Sequence, residues 1–244
     1  MTKNVDDATV PEPPRLCKQS SLWDHARNRV HRLFAAENAL GFGRSVRSLH
    51  AVDALPECVM RYEHRIELLP LLPHALQFGG CNHWQLLFSS QVHGCSLTTL
   101  YERSHSRGPT LVLVRDKQHH VFGAFASVSW AREPDAHYHG SGESFLFSTW
   151  PAESGLRSWA WTGVNRHCQL AAHDCLAFGG GGHFGLWLGR SLATGSTARC
   201  DTYGNGPLTE HHVEGGLTEA EEGQAAFEVH EVQVWALEAG GRGR

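Results

Sequence analysis

Tyr138-His-Gly-Ser-Gly-Glu-Ser-Phe-Leu-Phe147 and Leu176-Ala-Phe-Gly-Gly-Gly-Gly-His-Phe-Gly-Leu-Trp-Leu188 decide how this chain is read. Their apolar runs, at 145–147, 176–178 and 186–188, are too short for helices and are separated by glycine. Short apolar runs bounded by turn residues are the mark of buried strands, and glycine permits the positive-φ turns that join them. The loop at Gly179, Gly180, Gly181 and Gly182 therefore reads as a tight connection between two strands, with Gly185 where a side chain would block close packing.

The same pattern extends in both directions. Residues 84–88 read as a first strand, and the β-branched and leucine run at 111–114 as a strand buried on both faces. A turn at 116–119 leads into 121–130, where Phe122, Ala124, Ala126, Val128 and Trp130 share one face, so the two segments form a hairpin. Further strands are expected at 144–148, 174–178, 183–188 and 227–237. In the last, the apolar positions Phe227 and Val229 change phase to Val232 and Val234, as a β-bulge produces. Strand and helix do not alternate, which argues against a Rossmann-like parallel sheet. The expected class is α+β: two antiparallel sheets packed as a sandwich with flanking short helices.

Helical signals are few. Ser21 and Asp24 resemble a capping box, and Trp23, Ala26, Val30, Leu33, Phe34 and Leu40 follow on one face, so a helix over 22–40 is expected, with Arg27, Arg29 and Arg32 on a solvated face. Residues 1–20, with Pro11, Pro13 and Pro14, read as a flexible tail. Residues 41–61 read as a linker, and the short apolar segment after Ile66 is bracketed by Pro70 and Pro73. Ser96 caps a short helix over 97–101. The acidic stretch 209–224 reads as a surface loop before the last strand.

A formal charge of −4, with basic and acidic residues interspersed, supplies no stripe of positive charge for phosphates, so nucleic acid is not an expected partner. No run approaches the roughly 18 apolar residues that span a bilayer, and the first residues lack the apolar core of a signal peptide. Direct membrane insertion is not expected. Seven scattered cysteines do not form a secreted disulfide framework, so reduced thiols in a cytoplasmic setting are expected.

Several constellations carry possible chemistry. Glu143, between Gly142 and Ser144 at the mouth of an apolar strand, has two readings: a partly buried general base, or a carboxylate that anchors its loop by accepting hydrogen bonds. Ser141, Ser144, His139 and Asp135 supply the residue types of a hydrolytic triad, yet no Gly-x-Ser-x-Gly elbow accompanies them. The four-glycine loop lacks the Gly-Lys-Ser/Thr ending of a phosphate-binding loop. Histidine pairs at His119 and His120, His137 and His139, and His211 and His212, with Cys81 near His83, lack the spacings of a shared zinc site, so no metal and no cofactor are expected. Cys95, Cys168, Cys175 and Cys200 are candidate sensing thiols, a role that requires exposure and a depressed pKa; within its apolar run Cys175 reads as core.

Taken in order, the segments at 84–90, 93–101, 108–114, 121–127, 140–147, 161–165, 176–188, 200–205 and 227–237 resemble the TLDc domain, the module of the oxidation-resistance protein family. The resemblance covers roughly residues 62–238, leaving 1–20 as tail, 21–61 as helix and linker, and 239–244 as a second tail, so the chain looks like a short, nearly TLDc-only member. It implies a sandwich of two antiparallel sheets with flanking helices, association with oxidative-stress resistance, and binding to the vacuolar-type proton ATPase through its cytosolic sector. Vacuolar or endosomal membranes would then be reached through the pump. The family has no defining catalytic mechanism, and Cys95 stands where phenylalanine is common. Gly140, Gly142, Glu143, Ser144, Gly179, Gly180, Gly181, Gly185, Trp187, Gly204 and Asn205 are the positions expected to shape the fold and its contact loops. The expectation is thus a non-catalytic interaction module; the alternative is a hydrolase or peroxide-handling enzyme using Glu143 with a nearby histidine or cysteine.

Overall fold

A computed structural model describes residues 59, 62–78, 83–130, 136–210 and 223–238. The expected helix over 22–40 and the two terminal tails lie outside them. Among these residues eleven strands form one hydrogen-bonded sheet, ten in a continuous path and one branching from it, that folds into two antiparallel layers. The first layer holds β1 (His83–Ser89), β2 (Thr110–Asp116), β3 (Val121–Ala126), β5 (Phe145–Ser148) and β6 (Arg157–Ala160). The second holds β4 (Tyr138–His139), β7 (Gln169–Ala171), β8 (Cys175–Phe178), β9 (Leu186–Gly189) and β10 (Thr194–Ala198).

The layers are joined by β11 (Gln224–Glu238), whose first residues pair with β10 and whose later ones lie between β1 and β2. The register against β2 slips between Val229 and Glu231, so the bulge read from the change of apolar phase is present. Because of it, Phe227 before the bulge and Val232 and Val234 after it all enter the same core, between the layers.

That core also takes Val112, Val114, Phe122 and Leu146 from the first layer and Leu176, Phe178, Leu186 and Leu188 from the second. Phe122 meets Phe227 edge-on at 4.9 Å. Each fully buried phenylalanine contributes about 1.5–3 kcal/mol relative to exposure.

The opposite face of the first layer is covered too, by flanking short helices. Leu111, Leu113, Phe125, Phe145, Phe147 and Trp235 form a second core with Leu68, Leu72 and Leu76 of a helical segment. That segment comprises α1 (Tyr62–Leu68), a 3-10 turn (Leu69–Leu71) and α2 (His74–Phe78). Pro70 and Pro73 masked its helicity in the sequence. Pro70 stands in the first turn of the 3-10 helix and Pro73 just before α2, where a missing N–H costs no internal hydrogen bond. Val59, expected in the linker, is buried in this same core.

Two more helices, α3 (Ser90–His93) and α4 (Leu97–Ser104), follow β1, and Ser96 caps α4 by accepting from Thr99 N–H at 3.4 Å. The strand expected over 121–130 ends at Ala126, leaving Val128 exposed while Trp130 remains buried. Strands β4, β6, β7 and β10 had no clear sequence signal. In β10, Thr-Gly-Ser-Thr-Ala, glycine is required because a Cβ at Gly195 would sit 2.5 Å from the Phe227 ring. Thr209, expected at the start of a surface loop, is fully buried; residues 211–222 of that loop lie outside the described residues.

Candidate functional site

Four turns gather around the glycine-rich motifs. At 141–144 the chain closes through Ser144 N–H to Ser141 O at 3.1 Å, and the buried Ser144 hydroxyl donates to Ser127 Oγ at 2.9 Å. Serine, and not Glu143, anchors this turn. Glu143 is exposed, and among the described residues its carboxylate has no hydrogen-bond partner, so the partly buried carboxylate anticipated from the sequence is not what the fold builds. Gly142 is fixed by its neighbour, since a Cβ there would come within 2.3 Å of the Trp161 ring. That indole donates to Asn165 O at 2.6 Å, which orders the 161–165 turn beside it.

The four-glycine loop is tied down from within. Gly179 N–H donates to Cys168 O at 3.3 Å, and Gly180 N–H to Thr202 Oγ1 at 2.9 Å, whose hydroxyl also lies 2.8 Å from Asn165 Oδ1. Gly179 has φ +81 and Gly181 φ +84, and the loop runs on into β9, not a helix. The loop therefore offers no helix N-terminus to a phosphate. Gly185 lies where the layers approach, its notional Cβ 2.6 Å from Leu146 Cδ1. Asn205 is buried and donates to Ala198 O at 2.7 Å and Gly206 O at 2.9 Å, next to the positive-φ Gly204. Gly140 is also at positive φ, before the 141–144 turn.

The other constellations are dispersed. Ser144 engages Ser127, and Ser141 Oγ accepts from Glu143 N–H, so neither hydroxyl is joined to His139; Asp135 lies outside the described residues. The rings of His137 and His139 stand 4.3 Å apart, yet among the described residues no group of three or more potential ligands is suited to a metal. Cys168, Cys175 and Cys200 are buried, and burial pushes all three thiols up in pKa, the opposite of an activated thiolate. Cys95 alone of the described cysteines is exposed; it shares a shallow depression with Trp187, Asp174 and Arg190.

Two features were not anticipated. Asp116, fully buried, accepts from Thr209 Oγ1 at 2.6 Å and from His120 N–H at 2.8 Å, pinning the end of the 200–210 segment to the β2–β3 turn. Beside β6, a groove of about 860 Å³ runs between the edge of the first layer and the α1–α2 segment, with Leu71, Glu143, Arg157, Trp159 and Trp161 on its walls. Arg157 donates to Trp150 O and lies over both the Trp150 ring at 5.8 Å and the Trp159 ring at 5.0 Å. The only hint in the sequence was the Arg-Ser-Trp spacing, which places Arg157 and Trp159 on one face of a strand.

The family model described as the TLDc domain matches residues 56–238. The chain belongs to the TLDc domain family. This TLDc chain is 37% identical over 162 residues to MTOR-associated protein MEAK7 of Danio rerio, covering 62% of the chain and 34% of that relative. It is 35% identical over 154 residues to oxidation resistance protein 1 of Eremothecium gossypii, covering 59% of the chain and 63% of the relative. With oxidation resistance protein 1 of Yarrowia lipolytica the identity is 32% over 193 residues, covering 73% of each. The chain thus spans about a third of the MEAK7 relative and less than two thirds of the Eremothecium protein. Among the described residues no helix is long and apolar enough to cross a membrane.

Proposed function

We propose that this TLDc protein acts in resistance to oxidative stress as an interaction module without chemistry of its own, and that its partner is the cytosolic sector of the vacuolar-type proton ATPase. The observation that carries the reading is the match to the Yarrowia oxidation resistance protein over 73% of both chains. The exposed Glu143 and the buried, ionisation-resistant thiols of Cys168, Cys175 and Cys200 support a binding role over hydrolysis or thiol chemistry. In this reading the glycine-shaped turns at 140–143, 179–182 and 204–205 present the contact surface in a cytoplasmic setting.

Two measurements test it. Tagged protein incubated with lysate at physiological salt should retain peripheral-sector pump subunits, identified by mass spectrometry; their absence removes the partner. Expression in Yarrowia lipolytica lacking its own oxidation resistance protein 1 should restore survival in hydrogen peroxide; failure to restore it removes the stress-resistance role. A folded Glu143→Gln protein that still retains the pump subunits but fails to protect would replace the binding reading with a catalytic one.

A further inference from the structure

Strand β6 is the last strand of the first layer, pairing with β5 on one side only. An edge strand directs half of its amide and carbonyl groups away from its neighbour, and such a row is a template for another strand. Among the described residues no backbone hydrogen bond outside the β5 pairing engages residues 157–160. The outer side of β6 opens on the groove of about 860 Å³.

The groove is polarised. Arg157 stands at one end of β6, opposite Ser148; Ala160 stands at the other, opposite Phe145, beyond which lies Glu143. At about 3.3 Å per residue, the ends of β6 are about 10 Å apart. The Arg157 guanidinium is partly buried between two tryptophans and donates to Trp150 O, and among the described residues no carboxylate is paired to it. The half-buried guanidinium lines the groove, so its charge favours an incoming anion there. Glu143, exposed at the far end, favours a cation.

We propose that the β6 edge binds an extended peptide by strand addition, the peptide carrying a carboxylate side chain opposite Arg157 and a basic side chain about four residues away, toward Glu143. The four-residue separation follows from alternation, since residues two and four apart share a face and four span about 13 Å. Trp159 and Trp161 offer flat apolar surface to the residue between the two charges. The inference concerns a peptide mode at one edge and stands whether or not the proton pump is the partner.

The test uses the full chain and a set of acetylated, amidated nonapeptides of alternating valine and threonine, with one glutamate and one lysine placed two to six residues apart. Fluorescence titration should give a dissociation constant of about 1 mM or tighter, with the best binding at a separation of four. Replacing the peptide glutamate by glutamine, or Arg157→Gln in the chain, should each weaken binding about tenfold, and the two together little more than either alone. N-methylation of alternate peptide amides should abolish binding. Should Arg157→Gln fail to fold, the peptide substitutions alone decide. No binding by any peptide, equal binding after N-methylation, or indifference to the glutamate overturns the proposal. So does sedimentation showing that the chain pairs with a second copy through this edge.

Discussion

The Trp161 indole lies directly over Gly142, so close that a Cβ at residue 142 would fall 2.3 Å from Cε3 of the ring and 2.8 Å from Cζ3. A neighbour this near cannot be relieved by a small adjustment, because the indole is held through its donation to Asn165 O at 2.6 Å. Gly142→Ala should therefore displace the ring and loosen the 161–165 turn, at a cost of about 1–3 kcal/mol. Urea unfolding followed by tryptophan fluorescence measures this; a variant as stable as the parent would show that the ring moves freely.

Gly179 and Gly182 separate two costs that glycine avoids. Both have positive φ, +81 and +94, but a Cβ at Gly179 would sit 2.5 Å from Cys200 Sγ, whereas one at Gly182 would meet nothing within 4 Å. Gly182→Ala should lose only the conformational term, about 1–2 kcal/mol. Gly179→Ala should lose clearly more, in the same unfolding assay. Equal losses would mean that the Cys200 side chain moves aside at no cost.

Thr209→Val should be destabilising by about 1–3 kcal/mol, since it removes a hydroxyl that donates to the fully buried Asp116 carboxylate. The methyl added in its place conserves volume but donates nothing. Thermal unfolding at neutral pH reads the change, and a neutral outcome would mean that His120 and solvent compensate the carboxylate in full.

Burial pushes the thiols of Cys168, Cys175 and Cys200 and the phenols of Tyr138 and Tyr203 up in pKa. Each of these groups ionises more readily unfolded than folded, so the unfolded state releases protons first as pH rises. Their contribution is complete below the ordinary thiol value of about 8.5, and falls above it and again above about 10, the ordinary tyrosine value. Urea midpoints at pH 7.5, 9 and 10.5 should fall in that order; a midpoint that rises over this window contradicts the burial of these groups.

The same thiols should resist alkylation in the native state at pH 8, while Cys95 reacts. Peptide mapping after iodoacetamide treatment, with and without denaturant, distinguishes the sites. Native labelling of Cys168, Cys175 or Cys200 at a rate matching Cys95 would reopen thiol chemistry as a function.

The sequence by itself determined the local elements and their phase. The apolar runs at 111–114, 145–147, 176–178 and 186–188 became strands, and the change of phase after Val229 became a bulge, because side-chain alternation is a property of the chain before it folds. The ordered motifs were likewise enough to assign the TLDc family. What only the tertiary structure decided was accessibility and close approach. Glu143 reads as a partly buried base or a loop-anchoring carboxylate until the turn places it in solvent. Gly195 weakens β10 as a strand signal until Phe227 is seen to occupy the space a side chain would need. The helical cover over Leu111 and Leu113 likewise joins residues far apart in the chain. Burial and contact are set by which elements meet across the fold, and one sequence read along its length contains no distance between them.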